Sequence, residues 1–302
     1  MQTFHANGKL LLSGEYFILD GAKGLALPTK FGQNLTITEP APMPGIQWTA
    51  LDHEGKVWFR TNFSGKLDVV ETTAPELADR LKKVLEAVIT LKGEPLAGFS
   101  AITRLQFPIN WGLGSSSTLI SLISQWVSCD PYKLLKLTFG GSGYDIACAT
   151  ANQPITYELN EGERIVEPVT FSPAFADSLY FLHLGKKQDS RVGIQHYKSL
   201  LADKTEMAEQ ITDITNKLLQ AAELDEFCYY LDLHEALISN ALQLQKVKDK
   251  YFSGFPGSIK SLGAWGGDFV CVASDEDEAM IRSWFIDKGF STLLKYSDII
   301  LF

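Results

Sequence analysis

The stretch Asn110 to Ile120, NWGLGSSSTLI, sets two glycines and three serines between two apolar runs. FSAITRLQFPIN before it has strand character, and SSSTLISLISQW after it reads as a helix. A loop with so little side chain to bury is useful through its backbone. Strand, thin turn and helix in that order leave several N–H groups converging at the positive end of a helix dipole, which makes an anion site, most naturally for phosphates. The serines are also suited to capping exposed N–H groups. The loop is not a Walker A motif, because Ser115 rather than lysine follows Gly114. A dinucleotide fingerprint with Ser117 in the third glycine's place stays open. Against it, the loop lies in mid-chain and no acidic residue ends a strand about 20 positions later. Taken alone, the same turn also serves merely to redirect the chain.

The chain has 302 residues, 45% of them hydrophobic, enough for a sizeable core in one or two domains. Its net charge of -9 argues against a nucleic-acid or anionic-membrane partner, since those need a basic field. Cys129, Cys148, Cys228 and Cys271 form no CxxC pair and read as buried free thiols of a reducing compartment. The N-terminal MQTFHANGKLLLSGEYF lacks a basic region leading into a continuous apolar run, and no window approaches the ~18 apolar residues of a membrane span. A cytoplasmic protein is expected.

From Lys9 to about Val70 the chain reads mostly as strands. APELADRLKKVLEAVITLKGEP carries Leu77, Leu81, Val84 and Val88 at helical spacing and ends at Gly93 and Pro95. After FGGSGYDIACA, a short helix, come the strands PITYEL and IVEPVTF, then SLYFLHLG. A long helical region follows, with Met207, Ile211, Ile214 and Leu218 on one face and Phe227, Leu231, Ile238 and Leu242 on another. GAWGGDFVCVAS leads into a strand, DEDEAMIRSWFIDKG is a helix, and SDIILF is read as a closing strand. The pattern predicts an α+β protein of two lobes, 1–176 and 177–302.

Two further clusters add to the glycine-serine loop. In NGKLLLSGEYFILDG, Lys9 opens an apolar strand and Glu15 interrupts it; a charge there needs a partner or a ligand, although Lys9 also fits a strand end with its head in water. In GGSGYDIACATANQ, Asp145 is either an N-terminal cap or a catalytic carboxylate on a backbone kept thin for substrate. A third, GAWGGDF, offers Gly263, Gly266 and Gly267 for tight turning or for close approach to a phosphate loop.

With GKLLLSGEY near the start, GLGSSS in the middle, SGYDIA soon after and a late GAxGG, the sequence resembles the GHMP small-molecule kinases over nearly its whole length. The resemblance implies an N-terminal lobe like ribosomal protein S5 domain 2, a ferredoxin-like C-terminal lobe, and ATP with Mg2+ as cofactors. Carried over, Gly112, Leu113, Gly114, Ser115, Ser116 and Ser117 cradle the ATP phosphates, and Ser116 is the metal ligand. Asp145 and Lys9 are catalytic, and Glu15, Tyr16, Ser142, Gly143, Gly266 and Gly267 bind substrate. The tyrosine after Gly-Glu and the Asp268 after the late glycines lean towards phosphomevalonate kinases, with mevalonate kinases close behind. GYDIA matches a bacterial subfamily named for those letters. The implied partner is a small acidic molecule, with a homodimer as an assembly the reading allows.

The sequence departs from the family in two places. Family kinases carry a glutamate about ten residues before the catalytic aspartate, and no acid lies between Asp130 and Asp145 here. Either Asp130 reaches the metal, or ATP and Ser116 alone hold it. Trp265 interrupts the late glycine run, either capping the site or obstructing it. Lys186, Lys187 and Arg191 form a solvated turn or an anion site, and His234 is expected to pack at an edge without a role. The competing reading is a catalytically idle relative that binds a ligand or a partner; a decarboxylase relative fits the late GGD less well.

Overall fold

The computed structural model describes residues 1–41, 44–186, 190–200, 203–265 and 267–302. The chain forms two compact units: Met1–Gly8, Phe31–Ile109 and Leu113–Thr150 make one, and Lys9–Lys30, Asn110–Gly112 and Ala151–Phe302 the other. Two long strands, β1 (Gln2–Ser13) and β2 (Gly24–Thr38), contribute residues to both.

In the first unit β2 pairs antiparallel with β6 (Ser100–Leu105), and β6 pairs in parallel with β3 (Ile46–Leu51). Beyond β3 lie β4 (Val57–Phe63) and β5 (Val69–Thr72), both antiparallel. The parallel β3–β6 pair needs a crossover, and α1 (Pro75–Lys92) belongs to it. Pro75 opens this helix, Gly93 closes it with φ 73°, and Leu81, Val84, Leu85 and Val88 form its buried face. The same core takes α2 (Ser115–Val127), α3 (Pro131–Thr138) and α4 (Tyr144–Thr150) through Ile120, Ile123, Leu134 and Ile146.

In the second unit β7 (Ile155–Asn160) pairs with Gly24–Ala26 of β2 and with β8 (Glu163–Pro168). A separate antiparallel sheet orders β10 (Ser258–Ser261), β11 (Phe269–Ala273), β9 (Leu179–His183) and β12 (Leu293–Lys295). The helices are α5 (Ser190–Leu200), α6 (Thr205–Gln220), α7 (Leu224–Leu242), α8 (Val247–Tyr251), α9 (Glu278–Ile286) and α10 (Tyr296–Ile299). The α+β class expected from the sequence is the one observed.

Two segments differ from the sequence reading. SDIILF is not a strand: α10 occupies Tyr296–Ile299, and beyond it Ile300 makes an isolated bridge to Thr29. α3 is an additional helix, opened by the Asp130 carboxylate accepting from the N–H groups of Tyr132 and Lys133 with Pro131 at its first position. Of the four cysteines, Cys148 and Cys271 are buried, Cys129 and Cys228 only partly, and all four are free thiols. Among the described residues no helix is long and apolar enough to cross a membrane.

Candidate active site

The glycine-serine loop opens α2 as the sequence predicts, but its serines do not cap the helix. Gly114 is the N-cap residue with φ 89°, and it brings no side-chain cap. Ser117 is buried and turns its hydroxyl back to donate to the Gly114 carbonyl at 2.8 Å. Leu113 is fully buried and anchors the loop, whereas Ser116 is exposed and Ser115 half-buried. The first turn of α2 holds no acidic side chain to compete for its N–H groups. An anion approaching there meets unshared donors and the positive end of the helix dipole.

α4 packs against α2 in the same unit and opens on the second glycine cluster. Gly143 has φ 92° and its carbonyl accepts from Ile146 and Ala147, starting the helix. Asp145 lies half-buried in the first turn, with Oδ1 accepting from the Ile146 N–H at 3.1 Å. Ser142 is half-buried and Gly143 buried.

The start of the loop is held inside the second unit. Lys9 donates through Nζ to the Gly112 carbonyl at 3.0 Å. His183 accepts from the Gly185 N–H on Nδ1, so its proton sits on Nε2 and faces the Asn110 carbonyl at 3.2 Å. Burial lowers the pKa of His183, which keeps the ring neutral for that contact. Trp111 packs edge-on to Phe269. Gly112 has φ 67°, and a Cβ there would meet the Asp268 carboxylate at 2.3–2.6 Å. The late glycine cluster thus reaches the first glycine of the glycine-serine loop. Gly267 is buried beside Asp268; Gly266 lies outside the described residues, as do Lys187 and the side chain of Arg191, while Lys186 is exposed.

Gly112→Ala tests this close approach. The methyl group displaces Asp268 and strains a positive-φ position, and nucleotide affinity is expected to fall roughly tenfold or more with only a small drop in thermal stability. An affinity within about twofold of the parent, by calorimetric titration of ADP, contradicts the assignment.

The first cluster divides between a surface and a core role. β1 ends at Ser13, so Glu15 lies in the turn beyond the strand. The Phe17 N–H donates to the Glu15 carbonyl at 2.6 Å across Tyr16, whose φ of 60° and ψ of -43° make it the centre of a positive-φ γ-turn. Such a residue costs about 1–3 kcal/mol and persists only where its surroundings over-determine it. Glu15 is fully buried, and its carboxylate accepts from Nζ of Lys260, also fully buried. Burial raises the Glu15 pKa to about 7, against the opposing charge of Lys260. His234 is not at an edge: it is fully buried, and Nε2 accepts from the Gly14 N–H at 3.0 Å. Burial and Lys260 hold its pKa well below the ordinary value, so its approach to Glu15 Oε2 at 3.4 Å is not an ion pair.

Trp265 is a core residue. It is 4% exposed and packs in the cluster of Phe17, Tyr197, Ile211 and Ile238.

A divalent cation fits the donors present in one way. Asp130 is spent on capping α3, and among the described residues no group of three or more His, Cys, Asp and Glu side chains gathers to hold a metal. The exposed Ser116 hydroxyl, with phosphate oxygens supplying the remaining ligands, matches how Mg2+ is commonly held.

No family model matches the chain, and no curated protein matches it by sequence. Solved structures do share its fold. The Streptococcus pneumoniae phosphomevalonate kinase in complex with phosphomevalonate and AMPPNP matches with TM-score 0.70 at 16% identity, over 98% of this chain and 100% of that one. The L. major mevalonate kinase in complex with R-mevalonate matches with TM-score 0.68 at 14% identity, over 95% and 91%. The Lactococcus lactis galactokinase complexed with galactose matches with TM-score 0.68 at 12% identity, over 100% and 95%. The fold is therefore one shared by small-molecule kinases with different acceptors.

Proposed function

We propose that the chain is an ATP-dependent, GHMP-type small-molecule kinase acting on the hydroxyl or phosphate of a small acid, with mevalonate and phosphomevalonate as the leading acceptors. The observation that carries the reading is the thin loop opening α2. Its N-cap brings no side-chain cap, and its first glycine carbonyl is held by Lys9. In this reading Gly112 to Ser117 bind the ATP phosphates through backbone N–H groups, and Ser116 holds the metal. Mg2+, when bound, neutralises charge on the β- and γ-phosphates.

Phosphoryl transfer through a loose transition state asks the protein chiefly for position and charge. Asp145 accepts or orients the acceptor proton, and Lys9 stabilises negative charge while holding the first turn of the loop. Tyr16, Ser142, Gly143, Gly266 and Gly267 contribute to the acceptor side, with Glu15 acting from beneath it. The acidic-substrate assignment rests on the sequence resemblance and is supported by two of the structural likenesses, whose proteins were solved with R-mevalonate and with phosphomevalonate.

The direct test is phosphorus NMR of the protein with Mg-ATP and each candidate acid. A new phosphoester or diphosphate resonance growing with ADP supports the reading. ATP bound but unchanged with every acceptor favours the second reading, an idle binder, to which the missing acid between Asp130 and Asp145 points.

A further inference from the structure

The turn after β1 is tied to two distant elements by groups that the proposed chemistry does not use. Lys260 on β10 donates to Glu15, and its Nζ also donates to the Ser261 carbonyl at 2.8 Å. His234 on α7 holds the Gly14 N–H. The next residue on α7, Glu235, accepts from the Ser261 N–H and hydroxyl, each at 3.0 Å, and so locks β10 to α7. All four of Glu15, His234, Glu235 and Lys260 are at most 1% exposed. Gly14 admits no side chain, since a Cβ there would lie 2.6 Å from the Gly24 α-carbon.

This machinery surrounds one residue that remains partly accessible. Glu15 and Phe17 on either side of Tyr16 are fully buried, whereas Tyr16 is half-buried. Its ring stacks on Tyr197 at 5.5 Å, and Tyr197 donates its hydroxyl to Asp20 at 2.5 Å. The Tyr16 hydroxyl lies against Gly193 of α5, where a Cβ would be only 2.2 Å away. A strained backbone, a ring stacked on Tyr197 and a glycine cleared for its hydroxyl specify one orientation of one side chain.

We propose that Lys260 and His234 are positioning residues that clamp the Gly14–Glu15 turn, fix the γ-turn at Tyr16 and thereby set the shape of the acceptor subsite for a small polar substrate. The role of the subsite rests on the kinase reading; the clamp itself does not. A lysine and a glutamate that served stability alone would be replaceable as a pair without consequence for Tyr16, because exchanging a whole buried ion pair for neutral side chains is often tolerated.

The test therefore replaces both partners, Glu15→Gln with Lys260→Met, in protein carrying 3-fluorotyrosine. The Tyr16 fluorine resonance is assigned by Tyr16→Phe. The clamp predicts that the Tyr16 resonance shifts or broadens while those of Tyr180 and Tyr296 stay in place. It also predicts that acceptor KM rises roughly tenfold or more at unchanged ATP affinity, a split that loss of folded protein does not produce. His234→Asn is the second variant: it keeps an acceptor near the Gly14 N–H, removes no charge, and is expected to move the same resonance should the pair replacement not fold. A Tyr16 resonance unmoved in the folded variants overturns the proposal, as does a moved resonance with acceptor KM within about twofold of the parent. If no acceptor is turned over by the parent protein, the kinase reading fails, and the fluorine spectrum alone decides the clamp.

Discussion

Lys260→Met on its own is expected to destabilise the protein by about 3–5 kcal/mol, because it leaves Glu15 buried without its cation. Glu15 and Lys260 are both fully buried, and Glu235, buried nearby, raises the Glu15 pKa further. The loss carries a pH signature. A carboxylate whose folded pKa lies above its ordinary value contributes stability that is present below about pH 4.5 and is lost as the pH rises through the folded value, about 7 in the parent. Lys260 opposes that rise, so removing it moves the folded value higher still. The deficit of the variant, read from urea midpoints, should therefore be larger at pH 8 than at pH 6, and adding Glu15→Gln should recover part of it. A deficit below about 1 kcal/mol at both pH values contradicts the buried pair.

Asp145→Asn is expected to lower turnover by about 10²–10⁴-fold, the range of a lost general base, while ATP affinity stays within a few-fold. The change is nearly isosteric, and the amide oxygen still accepts from the Ile146 N–H, which the carboxylate does at 3.1 Å, so α4 keeps its first turn. What disappears is the negative oxygen that takes or orients the acceptor proton. Steady-state kinetics against the best acceptor, with nucleotide binding measured on the same preparation, separates the two effects. Turnover within about threefold of the parent removes Asp145 from the chemistry.

The parts legible in the sequence are those specified locally. Thin glycine runs followed by apolar helical periods identify α2 and α4, and Leu81, Val84 and Val88 identify α1, because each pattern dictates its own element. The α3 helix carried a readable signal as well, an aspartate followed by proline at Asp130 and Pro131. His234 also had one: it shares the helical face of Leu231 and Ile238, three and four residues away, which points inward.

Lys260 had none. Nothing in SIKSLGAW marks the lysine as buried, and its partner Glu15 stands 245 residues away. Long-range pairing, and the ordering of several buried polar groups around one turn, arise only when the tertiary structure brings distant segments together. Trp265 shows the same limit: its bulk looked like an intrusion into a glycine loop, and the fold turns it into the core of Phe17, Tyr197 and Ile238. The segment SDIILF failed for the opposite reason. Its run of apolar residues fits a strand, but Tyr296–Ile299 turn as a helix, and beyond it Ile300 bridges to Thr29 and the Leu301 N–H donates to the Pro28 carbonyl at 2.9 Å.

Acceptor-dependent ADP release from Mg-ATP, run with mevalonate, phosphomevalonate, homoserine and galactose on the parent and on Asp145→Asn, tests the central claim most directly. The expected result is release with one acid, mevalonate or phosphomevalonate, and its near-complete loss in the variant. Failure of the parent protein to bind ATP at all contradicts it, because the loop from Gly112 to Ser117 would then hold no nucleotide.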